Sequence, residues 1–92
     1  MTDTITTELK IINERGLHAR AAANFVKTIE NLNTEVTVER LGQSVEGTSI
    51  MGLMMLAASL GTTIKVSAAG PQKEEAIKAL TDLVNNKFGE ER

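Results

Sequence analysis

The chain of 92 residues carries 10 basic and 12 acidic side chains, for a net charge of −2, and that balance argues against a nucleic-acid binder, which usually has a basic surplus. It has no cysteine and one histidine, which excludes a disulfide scaffold, a thiolate metal site and a cysteine nucleophile. Hydrophobic residues make up 41%, as in an ordinary globular protein, and the length fits one domain over residues 1–92. Phe25 and Phe88 are the only aromatic residues, so the core must be aliphatic and stacking platforms for single-stranded nucleic acid are not expected. Residues 1–15 show no apolar stretch of the kind a secretory signal needs. The longest apolar run, Ile50 to Ala58, falls far short of the ~20 residues that cross a membrane. The expected location is the cytoplasm.

In chain order, Ile5, Thr7, Leu9 and Ile11 alternate with Thr6, Glu8 and Lys10, which predicts a half-buried strand over 5–11. A first helix is expected from about His18 to Leu32, with Ala22, Phe25, Val26 and Ile29 as its buried stripe. Val36 and Val38 alternate with Glu35, Thr37 and Glu39 in a second strand, and Gly42-Gln43 reads as a hairpin turn into a short strand around Ser44 to Glu46. A short second helix spans about Ser49 to Ala58. In the fourth strand, 62–68, Ile64, Val66 and Ala68 oppose Thr63, Lys65 and Ser67.

The third helix follows the Gly70-Pro71 break, with Pro71 suited to the first helical position. Glu74 and Glu75 in its first turn and Lys87 in its last complement the helix dipole. Ala76, Ile77, Leu80, Leu83, Val84 and Phe88 form its apolar face. Gly89 suits a C-terminal cap, and residues 89–92 are expected to fray. The order βαββαβα defines an α+β fold: an antiparallel sheet with helices layered on one face.

The first helix opens on Arg15-Gly16-Leu17-His18-Ala19-Arg20-Ala21-Ala22, with no Ser, Thr, Asp or Asn at 16–19 to cap it. Its free N–H groups therefore form a ready anion site, and they lie beside the only imidazole and a guanidinium two residues on. A neutral imidazole is a competent nucleophile towards phosphorus. A phosphoryl group on His18 would meet the free N–H groups and charge-assisted bonds from Arg20. The plainer alternative is a capping histidine and a solvated arginine. Arg20, Asn24 and Lys27 share a polar helix face, either to steer an acidic partner or simply as a solvated surface.

The second helix, Ile50-Met51-Gly52-Leu53-Met54-Met55-Leu56-Ala57-Ala58, is apolar all round. It is either buried on every side or partly exposed for binding, and flexible Met side chains suit surfaces that accept several partners. Thr48-Ser49 at its start reads as an N-cap or as a phosphorylation site, where a dianionic group would disrupt an apolar docking surface.

Gly16-Leu17-His18-Ala19-Arg20, with the Ala-rich helix and Phe25-Val26 after it, resembles the active-site signature of the HPr family, the histidine-containing phosphocarriers of the phosphoenolpyruvate-dependent phosphotransferase system. Gly47-Thr48-Ser49-Ile50-Met51-Gly52-Leu53-Met54 is similar to the family's regulatory-serine segment. The resemblance implies an open-faced β-sandwich with a four-stranded antiparallel sheet and three helices on one side. It implies that His18 accepts a phosphoryl group on Nδ1 from enzyme I, with phosphoenolpyruvate as ultimate donor. Arg20 would then stabilise that group, and EIIA-type proteins would receive it.

The resemblance further implies that Ser49 is modified by HPr kinase/phosphorylase where one exists. Ala19, Ala23, Asn24, Lys27, Ile50, Met51, Met54 and Met55 would form the partner-binding surface. No cofactor, metal, nucleic acid or membrane insertion is implied, and a monomer is expected. Ala21 departs from the family's usual Pro; it keeps one more N–H at the helix start, and together with the sequence around Thr48 to Ala58 it resembles a nitrogen-related regulatory branch, with the sugar-transport branch left open. The competing reading is a regulatory interaction module that acts through Ser49 and the Met-rich helix without phosphotransfer. In neither case does the chain turn over a small substrate of its own.

Overall fold

The computed structural model describes residues 3–92. The elements are β1 (Thr4–Lys10), α1 (Ala19–Ile29), β2 (Glu35–Arg40), β3 (Gln43–Glu46), α2 (Ile50–Met55), β4 (Thr63–Ala69) and α3 (Lys73–Asn85), followed by a 3-10 turn (Lys87–Gly89). The four strands pair antiparallel in the order β1-β4-β2-β3. Register lines up the apolar alternation across the sheet: Ile5, Ala68 and Val36 form one row, Thr7, Val66 and Val38 the next, and Leu9 meets Ile64. The opposite face is polar, and there Lys65 stands between Glu8 and Glu39, an arrangement in which unlike charges are cross-strand neighbours.

The three helices cover the apolar face. Ala21, Ala22, Phe25 and Ile29 of α1, Leu53 of α2, and Ala76, Leu80 and Val84 of α3 are all buried against it. The expected α+β architecture and the expected stripes on α1 and α3 are therefore found, although Val26, Ile77 and Leu83 are only partly buried at the edge of the core.

Several boundaries differ from expectation, each for a local reason. The hairpin turn is Leu41-Gly42 rather than Gly42-Gln43: both residues have positive φ (51° and 81°), and Arg40 pairs directly with Gln43. This is the two-residue loop whose twist matches the flanking strands. α1 stops at Ile29, where the Leu32 N–H turns back to the Ile29 carbonyl at 3.0 Å. α2 ends at Met55, and Ala57 beyond it lies in the left-handed region at φ 52°, which cannot continue a helix. Pro71 is not in the first turn of α3 but precedes it, in a turn closed by the Lys73 N–H on the Gly70 carbonyl, where the fixed φ of proline is equally at home. α3 ends at Asn85, so Lys87 lies past its last turn, and Lys87 and Phe88 are both left-handed.

Residues 89–92 do not fray. Phe88 is buried in the core, Gly89 (φ 82°) reverses the chain, and the Arg92 carbonyl accepts the Glu14 N–H at 2.8 Å. A buried aromatic at one end and a main-chain bond at the other hold the tail against the loop that follows β1.

Candidate phosphoryl-transfer site

The loop from Ile11 to Leu17 carries His18 to the start of α1. It is anchored at its base by reciprocal main-chain bonds: Ile11 N–H to the Thr62 carbonyl, and Gly61 N–H to the Ile11 carbonyl, each at 2.8 Å. Asn13 is wholly buried in it. Its side-chain Nδ2 donates to the Gly16 carbonyl at 2.8 Å and to Glu90 Oε1 at 3.0 Å, while Oδ1 has no partner among the described residues. Gly16 takes φ 68°, and a Cβ there would come within 2.5 Å of the Ala58 carbonyl oxygen. That carbonyl accepts the Leu17 N–H at 2.8 Å, so the loop is pressed against the segment that follows α2.

His18 occupies the N-cap position with extended backbone (φ −82°, ψ −177°) and makes no side-chain cap bond. Its carbonyl takes the first helical bond, from the Ala22 N–H at 2.8 Å. The N–H groups of Ala19, Arg20 and Ala21 have no acceptor among the described residues. Ala21 thus adds a third free donor, and it is itself completely buried. A side chain at the N-cap lies beside the second and third of these groups, so a phosphate on this ring falls next to the positive end of the helix.

The ring itself is held. Nε2 lies 2.5 Å from Glu90 Oε2, with the two side chains 24% and 17% exposed. Nδ1 has no hydrogen-bond partner among the described residues. Partial burial pushes the Glu90 carboxyl towards the neutral form, but hydrogen bonds from His18 and Asn13 and the nearby Arg15 guanidinium outweigh it and hold the group below the usual carboxylate range. Beside this pair an open cleft is lined by Glu14, Arg15, Arg20, Glu90, Glu91 and Arg92. Arg20 is exposed and makes no salt bridge within the described residues. Among the described residues no cluster of His, Asp and Glu is placed to hold a metal ion.

The structure brings together His18, Arg20 and the free helix start, all singled out from sequence. It adds Asn13 and Glu90, which sequence reasoning missed. Glu90 is 72 positions from His18, and no local spacing links them. The buried Asn13 carries no sequence signal either, since a polar residue in a loop is ordinary. Asn24 is not a free steering group: its Nδ2 donates to the Phe88 carbonyl at 3.3 Å, and so it helps to seat the tail. Lys27 and Ala19 are exposed on α1, and Ala23 is partly buried.

α2 is neither fully buried nor fully exposed. Leu53 points inward, while Met51 and Met55 are 70% and 65% exposed, with Ile50 and Met54 also open to solvent. Ser49 caps this helix, its Oγ accepting the Gly52 N–H at 2.9 Å.

A histidine at an uncapped helix start, beside an arginine, on an open sheet layered with three helices defines a small phosphoryl-transfer module of the α+β class. The family model described as "PTS HPr component phosphorylation site" matches residues 5–86. A phosphocarrier protein HPr from Neisseria meningitidis serogroup A is 50% identical over 82 residues, covering 89% of this chain and 92% of that protein. A multiphosphoryl transfer protein from Salmonella typhimurium is 35% identical over 91 residues, which make up 24% of its length. The crystal structure of HPr-C-His from Thermoanaerobacter tengcongensis superposes with a TM-score of 0.91 at 46% identity, over 96% of this chain and 99% of that one. The chain belongs to the HPr family of the phosphotransferase system. It is a phosphocarrier and not an enzyme with a substrate turnover of its own.

Proposed function

We propose that His18 is the phosphoryl-accepting residue, that it is loaded by enzyme I from phosphoenolpyruvate, and that it passes the group to EIIA-type proteins. The observation that carries this reading is the N-cap placement of His18 beside three N–H groups that have no acceptor among the described residues. A phosphoryl group there meets backbone donors that no described protein group engages. Arg20 supplies a mobile guanidinium for the same oxygens. Met51, Met54, Met55 and Ile50 form the apolar part of the docking surface, with Ala19, Ala23 and Lys27 beside it on α1. Modification of Ser49 places a dianion at the edge of that surface and weakens docking. The protein works as a cytoplasmic monomer.

The test is phosphorylation with purified enzyme I and phosphoenolpyruvate, read by intact mass, with His18→Ala in parallel. One acid-labile phosphoryl group that is absent from a folded His18→Ala protein is the expected result. Full labelling of His18→Ala would overturn the assignment.

A further inference from the structure

The C-terminal segment Lys87–Arg92 is held at three separate points, two of them on the His18 loop. Phe88 is buried in the core, Glu90 Oε1 accepts from the wholly buried Asn13, and the Arg92 carbonyl accepts the Glu14 N–H. Glu90 Oε2 is thereby delivered to His18 Nε2 from a fixed direction. An ionised carboxylate can only accept hydrogen bonds, so the ring nitrogen facing it is the one that carries the proton. The other nitrogen, Nδ1, is then the one with a free electron pair.

We propose that Glu90 is a positioning residue for phosphotransfer, holding the proton of the imidazole on Nε2 and presenting Nδ1 as the nucleophile. This inference rests on His18 being the phosphoryl acceptor. In the transfer step the Nδ1 electron pair forms the bond to phosphorus, and the bond between phosphorus and the donor breaks with its pair leaving on the donor. The Nε2 proton does not move. The phosphorylated ring is therefore a cation, and the Glu90 carboxylate already faces it. When the group is passed on, the pair returns to Nδ1 and the ring is neutral again, still protonated at Nε2.

The other charged groups around the ring do not take this part. Arg20 on α1 and Arg15 and Arg92 around the cleft are cations; Glu14 and Glu91 line the cleft, and neither makes a hydrogen bond to the ring. Asn13 fixes the second oxygen of Glu90 and so sets the angle at which the first meets His18. Pairing a ring N–H with a carboxylate fixes tautomer and orientation at metal and catalytic histidines in the same way.

The experiment compares full-length wild type, Glu90→Ala and Glu90→Gln. The first readout is the Nε2–H resonance of ring-15N-labelled His18 in the unphosphorylated protein. The second is the single-turnover rate of phosphorylation by enzyme I with phosphoenolpyruvate. Wild type is expected to show the Nε2–H resonance, Glu90→Ala to lose it by exchange with water, and Glu90→Gln, whose amide oxygen still accepts, to regain it. The rate is expected to fall roughly tenfold or more in Glu90→Ala, on the scale of a misplaced reacting group, and to recover in part in Glu90→Gln, which restores orientation without charge. A Glu90→Ala protein with the wild-type resonance and rate would overturn the proposal, as would a folded Glu90→Gln that restored neither. A wild type that takes no label on His18 would be a failure of the phosphocarrier reading, and the resonance comparison would still decide whether Glu90 holds the ring.

Discussion

The carbonyl oxygen of Ala58 occupies the space a side chain on residue 16 would need: a Cβ built on Gly16 comes within 2.5 Å of it and 2.8 Å of the Ser59 Cα. Both are backbone atoms and cannot swing aside, and Gly16 also has φ 68°. The turn that presents His18 is therefore locked to the segment following α2. Gly16→Ala is expected to cost about 1–3 kcal/mol in strain and to slow phosphorylation of His18. Gly42→Ala is the control, since it has a similar φ of 81° with nothing within 4 Å of its Cβ. Denaturant unfolding of the two variants, with phosphorylation rates alongside, checks this. Equal stability losses and unchanged rates in Gly16→Ala would refute the locking.

Ser49 separates capping from charge. Ser49→Ala removes the acceptor of the Gly52 N–H and is expected to cost ~1 kcal/mol. Ser49→Asp restores a good cap while adding a negative charge beside Ile50 and Met51. It should fold as stably as wild type and bind enzyme I more weakly. Calorimetric titration against enzyme I, with thermal unfolding of each variant, makes the comparison. Tight binding by Ser49→Asp would count against a regulatory role for this position.

The exposed methionines should be nearly free of folding constraint. Met51→Asp, at a side chain 70% exposed, is expected to change stability by no more than about 0.5 kcal/mol and to weaken docking to enzyme I. Leu53→Ala, two residues further on but fully buried, is expected to cost roughly 2–5 kcal/mol. The contrast between neighbouring residues distinguishes a binding face from a packing face, and chemical denaturation with a binding titration reads both.

The Glu90 carboxyl is held below the ordinary carboxylate range in the folded protein: burial opposes this, and hydrogen bonds from His18 and Asn13 with the nearby Arg15 guanidinium prevail. A group whose folded pKa is lowered contributes stability that is present above its unfolded pKa and is lost as pH falls through the folded one. The stability advantage of wild type over Glu90→Gln should therefore be present above the usual carboxylate range and shrink once pH drops below it. Unfolding midpoints of the two proteins measured down a pH series should converge in acid. A gap that does not change with pH would mean that the contact is not one of an ionised carboxylate.

Period-two alternation in β1, β2 and β4 and the apolar stripes of α1 and α3 were enough to read the architecture from the sequence, because a half-buried strand or helix writes its own period into neighbouring residues. The uncapped start of α1 was legible for the same reason: a missing cap is a local fact about residues 16–19. The ends of α2 and α3 were not, since they depend on left-handed residues Ala57, Lys87 and Phe88, positions where such backbone is held only by surrounding packing. Nor did the apolar run of α2 say which of its residues would face water; the sheet and α1 decided that, by taking Leu53 and leaving Met51 and Met55 outside. The meeting of Glu90 with Asn13 and His18 belongs wholly to the tertiary structure. Those residues are far apart in the chain, and their contact exists because Phe88 enters the core and Gly89 turns the last residues back. A sequence read in short windows registers periodicity and caps; a carboxylate brought to an imidazole by long-range packing leaves no period to find.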